Sequence, residues 1–316
     1  MQLHLYFCFF FRYNESSASI SLHLSNILWK NFKILRKGAK FMPEKPGQKD
    51  SKRVILPVTL YRDGRFAAGS DTLVRETPVT LFLNDEEFVT LVCSPGELKE
   101  LAVGFLCSEG VLQRREDLKS IVINEDDGLI WVETARPSQS EEMFLKRFIT
   151  TCCGRGRASF YFINDARGVS PVTSGLTATP GQIFFLSGQL EEKSALFRET
   201  GGAHSAALCT TESVVCFYED IGRHNAVDKI FGRCFLEGIP FADKILVFSG
   251  RISSEILIKV AKMGIPVIVS RSAPTELAVK LADELGITVV GFAREDRLNV
   301  YTHPGRVGDQ KSTGPS

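Results

Sequence analysis

Cys152 and Cys153 stand side by side in TTCCGRGRASF, residues 150–160, with Gly154 and Gly156 alternating with Arg155 and Arg157. Only the thiolate of cysteine attacks sulfur or binds metal, and neighbouring cations lower the thiol pKa. Arg155 and Arg157, with Arg147 upstream, would favour that charge. The glycines leave room for an incoming group and let the backbone move. The turn therefore suits a thiol that reaches out, collects something and delivers it. A chance pair in a surface loop is the bland alternative.

A second set of polar residues lies further along. FSGRISSE, SRSAPTE and GFAREDR each follow an apolar run, and between them they carry Arg251, Arg271, Arg294 and Arg297, with Ser249, Ser253, Ser270 and Ser272. Cations, small hydroxyl side chains and helix N-termini together suit phosphate groups. Alternatively, Ser272 and Pro274 only cap a helix and the arginines are solvated. GGAHSAAL sets His204 behind a glycine pair, and YEDIGRHNAVDK packs Glu219, Asp220, Arg223, His224, Asn225, Asp228 and Lys229 into eleven residues. Such a cluster is read as a preorganised rim or as an ion-pair network that holds one.

The elements that must position these residues are legible as patterns. Residues 53–92 alternate apolar and polar side chains, broken by RDG and NDE, as strands joined by turns do. SPGELKELAVGFLCSEGVL reads as a helix capped by Ser94 with Pro95 in its first turn, and SIVINEDDGLIWVETA as further strands. GVSPVTSGLTATPGQ is turn-rich and marks a boundary. Beyond it, residues 187–202 have helical spacing, AALCTTESVVCFYED reads as a hairpin, and RHNAVDKIFGRCFLEG as a helix ending at glycine. KILVFSG, IPVIVS and ITVVGFA are apolar strands separated by two helical stretches, the mark of βαβ crossovers and a parallel sheet. Ligands bind beyond the carboxyl ends of such strands, where the three arginine-bearing loops fall. The expected organisation is α/β: a small mixed α+β domain over 53–165, an α/β domain over 182–307 and a tail over 308–316.

Composition narrows the class. The net charge is +1 and no block of like charge marks a nucleic-acid track. No run of eighteen apolar residues suggests a membrane span. Most of the eight cysteines sit in apolar runs, as in a reduced cytoplasmic protein, and no C-x-x-C occurs, so no metal is expected on side chains. Residues 1–41 carry six Lys or Arg and one Glu, and without them the charge is −4. Lys37-Gly38-Ala39 can be encoded with a ribosome-binding sequence just ahead of Met42, so Met42 is read as the native start, with 1–41 a leader or a disordered extension.

GGAHSAAL, EDIGRHNAVDK, SGRISSE, SAPTELAV, GITVVGFARE and NVYTHPGR, with ELAVGFLCSEG and the CCG turn, occur together and in order. In this the sequence resembles the FdhD/NarQ family, formate dehydrogenase accessory sulfurtransferases, over about residues 53–307. The resemblance implies a cytidine-deaminase-like α/β domain with a smaller mixed domain, and a homodimer. It also implies transfer of persulfide sulfur from a cysteine desulfurase to the molybdenum cofactor, bis-molybdopterin guanine dinucleotide, before that cofactor enters formate dehydrogenase. The cofactor is thus a bound substrate, with GDP as its analogue. Many members carry C-G-x-C-G at the turn. Aligned on the Cys-Gly pair, Cys153 takes the first cysteine and becomes the persulfide carrier, while Gly156 stands where the second would be. One thiolate suffices for thiol–persulfide exchange. The family's cofactor-binding segment maps onto Phe292, Ala293, Arg294, Glu295, Asp296 and Arg297, beside the rim of Ser249, Arg251, Ser270, Ser272, His204, Arg223 and His224.

Two rival readings are a zinc nucleoside deaminase and a cofactor-binding chaperone that moves no sulfur. The deaminase needs H-x-E and P-C-x-x-C ligands, and neither string occurs.

Overall fold

Strand β1 (Arg53–Arg62) runs into β2 (Arg65–Val74) through Asp63 and Gly64, whose φ values are 51° and 76°. Asp-Gly favours this two-residue turn because its twist matches that of the flanking strands. A computed structural model of the protein describes residues 52–135 and 169–308. Strands β3 (Thr77–Leu83), β4 (Glu86–Cys93), β5 (Leu118–Asn124) and β6 (Leu129–Thr134) form a sheet in the order β4-β3-β6-β5, with β3 and β6 parallel. Val79, Leu81 and Leu83 alternate along β3 and are buried, so one face of this sheet belongs to the core.

Helix α1 (Leu98–Glu109) follows β4. It is not capped by Ser94, as the sequence suggests. Gly96 and Glu97 take φ values of 84° and 49°, and the helix starts only after this left-handed pair. Ser94 is engaged elsewhere, its hydroxyl accepting the Ile221 N–H at 3.1 Å. The helical stretch 187–202 also divides. Helix α2 (Pro180–Lys193) begins earlier, at a reciprocal cap between Thr179 and Gln182 with Pro180 at its first position. Helix α3 (Ala195–Thr200) follows once Ser194 leaves the helical basin, at φ −73° and ψ 61°.

The hairpin β7 (His204–Cys209) and β8 (Val214–Asp220) leads into helix α4 (Arg223–Glu237), which stops at Gly238. Then come β9 (Ile245–Phe248), α5 (Ser254–Met263), β10 (Val267–Ser270), α6 (Glu276–Glu284) and β11 (Thr288–Arg294), with β9, β10 and β11 parallel as expected. A further strand, β12 (Arg297–Val300), doubles back antiparallel to β11, and the sheet order is β12-β11-β10-β9-β7-β8.

All residues of β9 and β10 are buried, and alternate residues serve opposite faces. Leu246 and Phe248 join an apolar cluster with Leu81, Ile130, Leu101, Ile230 and Ile256. Ile245 and Val247 face the other way, into a cluster with Ile183, Leu186 and Leu190 of α2. The architecture is therefore mixed α/β, a six-stranded sheet covered on both faces. Helices α1 and α4 cross at Gly104 and Gly232, where a Cβ on Gly104 would lie 1.7 Å from the Asp228 carbonyl oxygen. Among the described residues no helix is long and apolar enough to cross a membrane.

Candidate functional site

Strand order gathers the polar residues. The carboxyl ends of β9, β10 and β11 share one edge because these strands are parallel. Strand β7 is antiparallel to β9, so its first residue, His204, comes to that edge. Asp220, the last residue of β8, pairs with His204, and Arg297, the first of β12, pairs with Arg294. Residues scattered over nearly a hundred positions thus meet along one rim.

The serines of the rim bind the protein's own loops. Ser249 Oγ accepts the Ser205 N–H at 3.0 Å and lies 3.4 Å from His204 Nδ1. Ser270 is buried, donates to the Gly250 carbonyl at 2.7 Å and accepts the Ser272 N–H at 2.9 Å. Ser272 Oγ donates to the Ser249 carbonyl at 3.1 Å, and the Ser272 carbonyl accepts the Phe292 N–H at 3.3 Å. All three loops are therefore tied to one another. The helix caps are other residues: Ser253 for α5, and Thr275, not Ser272 or Pro274, for α6.

Arg251 is exposed, and Arg271 forms an ion pair with Glu191 of α2. Phe292 and Glu295 take positive φ, 53° and 58°, where β11 turns back, and Ala293 is buried beneath them. Arg294, Glu295, Asp296 and Arg297 are exposed at this hairpin. The segment read as a loop is thus a bulged turn between paired strands, with its charges toward solvent.

The start of α4 brings Arg223 and His224 to the same edge. Arg223 Cδ would lie 3.3 Å from a Cβ on Gly250, so this glycine makes room for it. Arg223 Nε is buried and has no hydrogen-bond partner among the described residues. His224 Nε2 is 3.4 Å from Glu255 Oε2 at the start of α5. Burial, then the charge of Arg223, depress the His204 pKa below its usual value, with Asp220 opposing them.

Beneath the edge, the polar cluster of residues 219–229 splits in two. Arg223 and His224 stay partly exposed, whereas Glu219, Asp220, Asn225, Asp228 and Lys229 are buried. Glu219 accepts the Leu196 and Phe197 N–H groups, both at 3.0 Å, at the start of α3. Asp228 accepts from Lys259 Nζ at 2.6 Å and from Ser108 Oγ at 2.6 Å. The buried half is the ion-pair network, and Arg223 and His224 stand at the edge above it. Ser94, which the sequence marks only as a helix cap, and the part-exposed Glu97 complete the network; nothing in the sequence ties them to it, since 126 positions separate Ser94 from Asp220.

The cysteine turn, with Cys152, Cys153, Arg155 and Arg157, lies outside the described residues, as do residues 1–41. Among the described cysteines, Cys93, Cys107 and Cys209 are buried, and burial pushes the Cys93 and Cys209 thiols up to about 12. Cys216 is held below its usual value by a hydrogen bond with Cys234. Among the described residues no group of three His, Cys, Asp or Glu stands together to hold a metal ion.

Residues 74–308 match the FdhD/NarQ family. The chain is 48% identical over 257 residues to the sulfur carrier protein FdhD of Bacillus pumilus, covering 81% of this chain and 97% of that one. It is 44% identical over 259 residues to the protein of the same name from Bacillus subtilis, covering 82% and 98%. A crystal structure from Desulfotalea psychrophila, of a protein proposed to be a formate dehydrogenase accessory protein, superimposes with a TM-score of 0.68. That match, at 24% identity, covers 81% of this chain and all of the other, and it bears on the fold.

Proposed function

The chain belongs to the FdhD/NarQ family, and on that premise we propose that it is a sulfur carrier that serves formate dehydrogenase. Its sulfur comes from a cysteine desulfurase. The Cys153 thiolate attacks the outer sulfur of the donor's persulfide, the donor's thiolate leaves, and Cys153 holds the persulfide. The acceptor is the molybdenum cofactor, bis-molybdopterin guanine dinucleotide, held as substrate at the rim before it enters formate dehydrogenase. In this reading the larger unit is cytidine-deaminase-like, the protein is cytoplasmic and works as a homodimer, and its part in the exchange is that of a sulfurtransferase.

The observation that carries the reading is the single edge at which β7, β8, β9, β10 and the β11–β12 hairpin all end. It collects Arg223, His224, Arg251, Arg294 and Arg297, with His204 among them. The hydroxyls of Ser249, Ser270 and Ser272 act here as braces that hold the loops. Cationic side chains and free helix N–H groups at a preformed edge are what a pyrophosphate requires. GDP, which carries the same guanine and phosphates, is the practical probe.

Two measurements test this together. Calorimetric titration should show GDP binding to the purified protein. Incubation with a cysteine desulfurase and labelled cysteine should leave label on the peptide that contains Cys153. Nucleotide binding without label on that peptide would favour a cofactor-binding chaperone that moves no sulfur, and absence of both would overturn the proposal.

A further inference from the structure

Nothing within the first turn of α4 caps it. Its cap residue, Gly222, has no side chain, and the turn carries Arg223 and His224 with no acidic residue. What fixes this turn is Asp220, which is fully buried. Its Oδ1 accepts the Gly222 N–H at 3.0 Å and Asn225 Nδ2 at 2.8 Å. Its Oδ2 accepts the Ser94 N–H at 3.2 Å and meets Lys229 Nζ at 2.9 Å. Lys229 is also 0% exposed, and its amine reaches Glu97 Oε2 at 3.2 Å. Glu97 sits on the left-handed backbone ahead of α1 and is held in turn by Lys52 Nζ at 2.6 Å.

Burial works against the Lys229 charge, but Asp220 and Glu97 more than offset it and keep the amine protonated. A buried pair of this kind is a poor source of net stability, because hydrophobic residues of similar volume often serve as well. Its constraint is geometric. Two donors on one carboxylate oxygen and two on the other fix Asp220 against α4 and the loop that follows β4 at once. Its neighbour across the hairpin is His204, and three residues on stands Arg223.

We propose that Asp220 is the positioning residue of this anion-binding turn, setting where Arg223 and His224 meet the ligand, and that Lys229 acts only through Asp220. The inference rests on the reading of the rim as a phosphate site.

The test uses the full chain with Asp220→Asn, Lys229→Met, both together, and the apolar replacement Asp220→Leu with Lys229→Met. The last removes both buried charges and is the variant best able to fold if the single changes are not tolerated. Folded variants should bind GDP about ten- to a hundredfold more weakly. They should keep their affinity for guanosine, which lacks phosphates. The Asn/Met double variant should be no worse than either single change, as expected when one residue acts through the other. GDP affinity within twofold of the parent in a folded variant would overturn the proposal, as would an equal loss for guanosine. Phenylglyoxal labelling of Arg223, read by peptide mass, needs no ligand: it should accelerate severalfold in the variants, and an unchanged rate would overturn the positioning role. Accelerated labelling in a chain whose parent form binds no GDP would support that role and overturn the phosphate-site reading alone.

Discussion

Replacing Gly104 or Gly232 with alanine sets two effects of opposite sign against each other. Both glycines lie inside helices, α1 and α4, where alanine is favoured over glycine by about 1 kcal/mol. Propensity alone therefore predicts stabilisation. At the crossing, however, the new Cβ of Gly104→Ala would stand 1.7 Å from the Asp228 carbonyl oxygen, and that of Gly232→Ala 1.9 Å from the Glu100 carbonyl oxygen. The obstacles are backbone, so no rotamer change relieves them, and the helices must part by more than 1 Å, on the order of what forfeits a quarter to a half of a van der Waals contact. Leu101, Phe105, Val227, Ile230 and Phe231 belong to the apolar cluster along these helices. At roughly 1.5–3 kcal/mol each for burial, a quarter to a half of the total is a loss of about 2–7 kcal/mol. Packing wins, and the net cost is about 1–6 kcal/mol, a fall in Tm of about 2–24 °C. Gly188 supplies the control. It is exposed in the middle of α2 with nothing within 4 Å of a new Cβ, so Gly188→Ala should stabilise by about 0.5–1 kcal/mol. Calorimetry and urea unfolding of the three variants read both signs. A Tm raised by Gly104→Ala, as by Gly188→Ala, would refute the close crossing of the two helices.

Cys153→Ala should abolish activation of formate dehydrogenase in cell extracts and leave the melting temperature unchanged, with a smaller effect for Cys152→Ala; equal and complete loss for both would mean that the vicinal thiols act as a unit. Arg294→Ala and Arg297→Ala should each weaken GDP binding about ten- to a hundredfold by titration, the worth of a charge-assisted hydrogen bond. His204 has its folded pKa depressed by burial and by Arg223. The unfolded chain therefore takes the proton first, and the stability His204 contributes is full above pH 6.5 and lost as the pH falls through the folded value. His204→Gln should flatten the acid-side loss of stability from pH 6.5 downward, measured as urea midpoints against the parent.

What could be read from the sequence and what could not divide along a physical line. The series β9–α5–β10–α6–β11 was legible because its strands are nearly unbroken apolar runs set around two amphipathic helical stretches, and the crossovers follow from handedness. The three loops at its carboxyl edge followed from the same series. The return strand β12 was not, because four residues, RLNV, carry too little alternation and the turn depends on positive φ at Phe292 and Glu295 rather than on glycine. Ser94 looked like a cap because serine before a helical pattern usually is one. The left-handed pair Gly96–Glu97 that displaces the helix start is stabilised by Lys52 and Lys229, residues distant in sequence. The serines of the rim were legible as a group, but their hydrogen bonds to backbone carbonyls are set by tertiary approach. Asp220 and Lys229 were visible as members of a polar cluster. That they are buried, and Arg223 and His224 are not, depends on which face of α4 meets α1, and the two glycines that decide it lie 128 residues apart.

The electrostatics of the edge gives this division a consequence. Helix N-termini favour negative charge, and α5 and α6, which start at this edge, carry Glu255 and Glu276 in their first turns. Helix α4 does the opposite, opening with Arg223 and His224 and no acid. The Arg223 cation so placed costs about 0.3–1 kcal/mol. The buried groups beneath do not cancel this, since Asp220 is taken up by Lys229 and Asp228 by Lys259. The start of α4 is thus held in a state that its own local charges disfavour, and an anion arriving there relieves the helix dipole and Arg223 together. Binding should therefore stabilise the fold beyond simple contact, and a ligand at a hundred times its Kd already adds about 2.7 kcal/mol by mass action. That the start of α4 is kept cationic by a frame of neutralised buried pairs is the physical reason to place the proposed phosphate site there, rather than at the capped starts of α5 and α6 on the same edge.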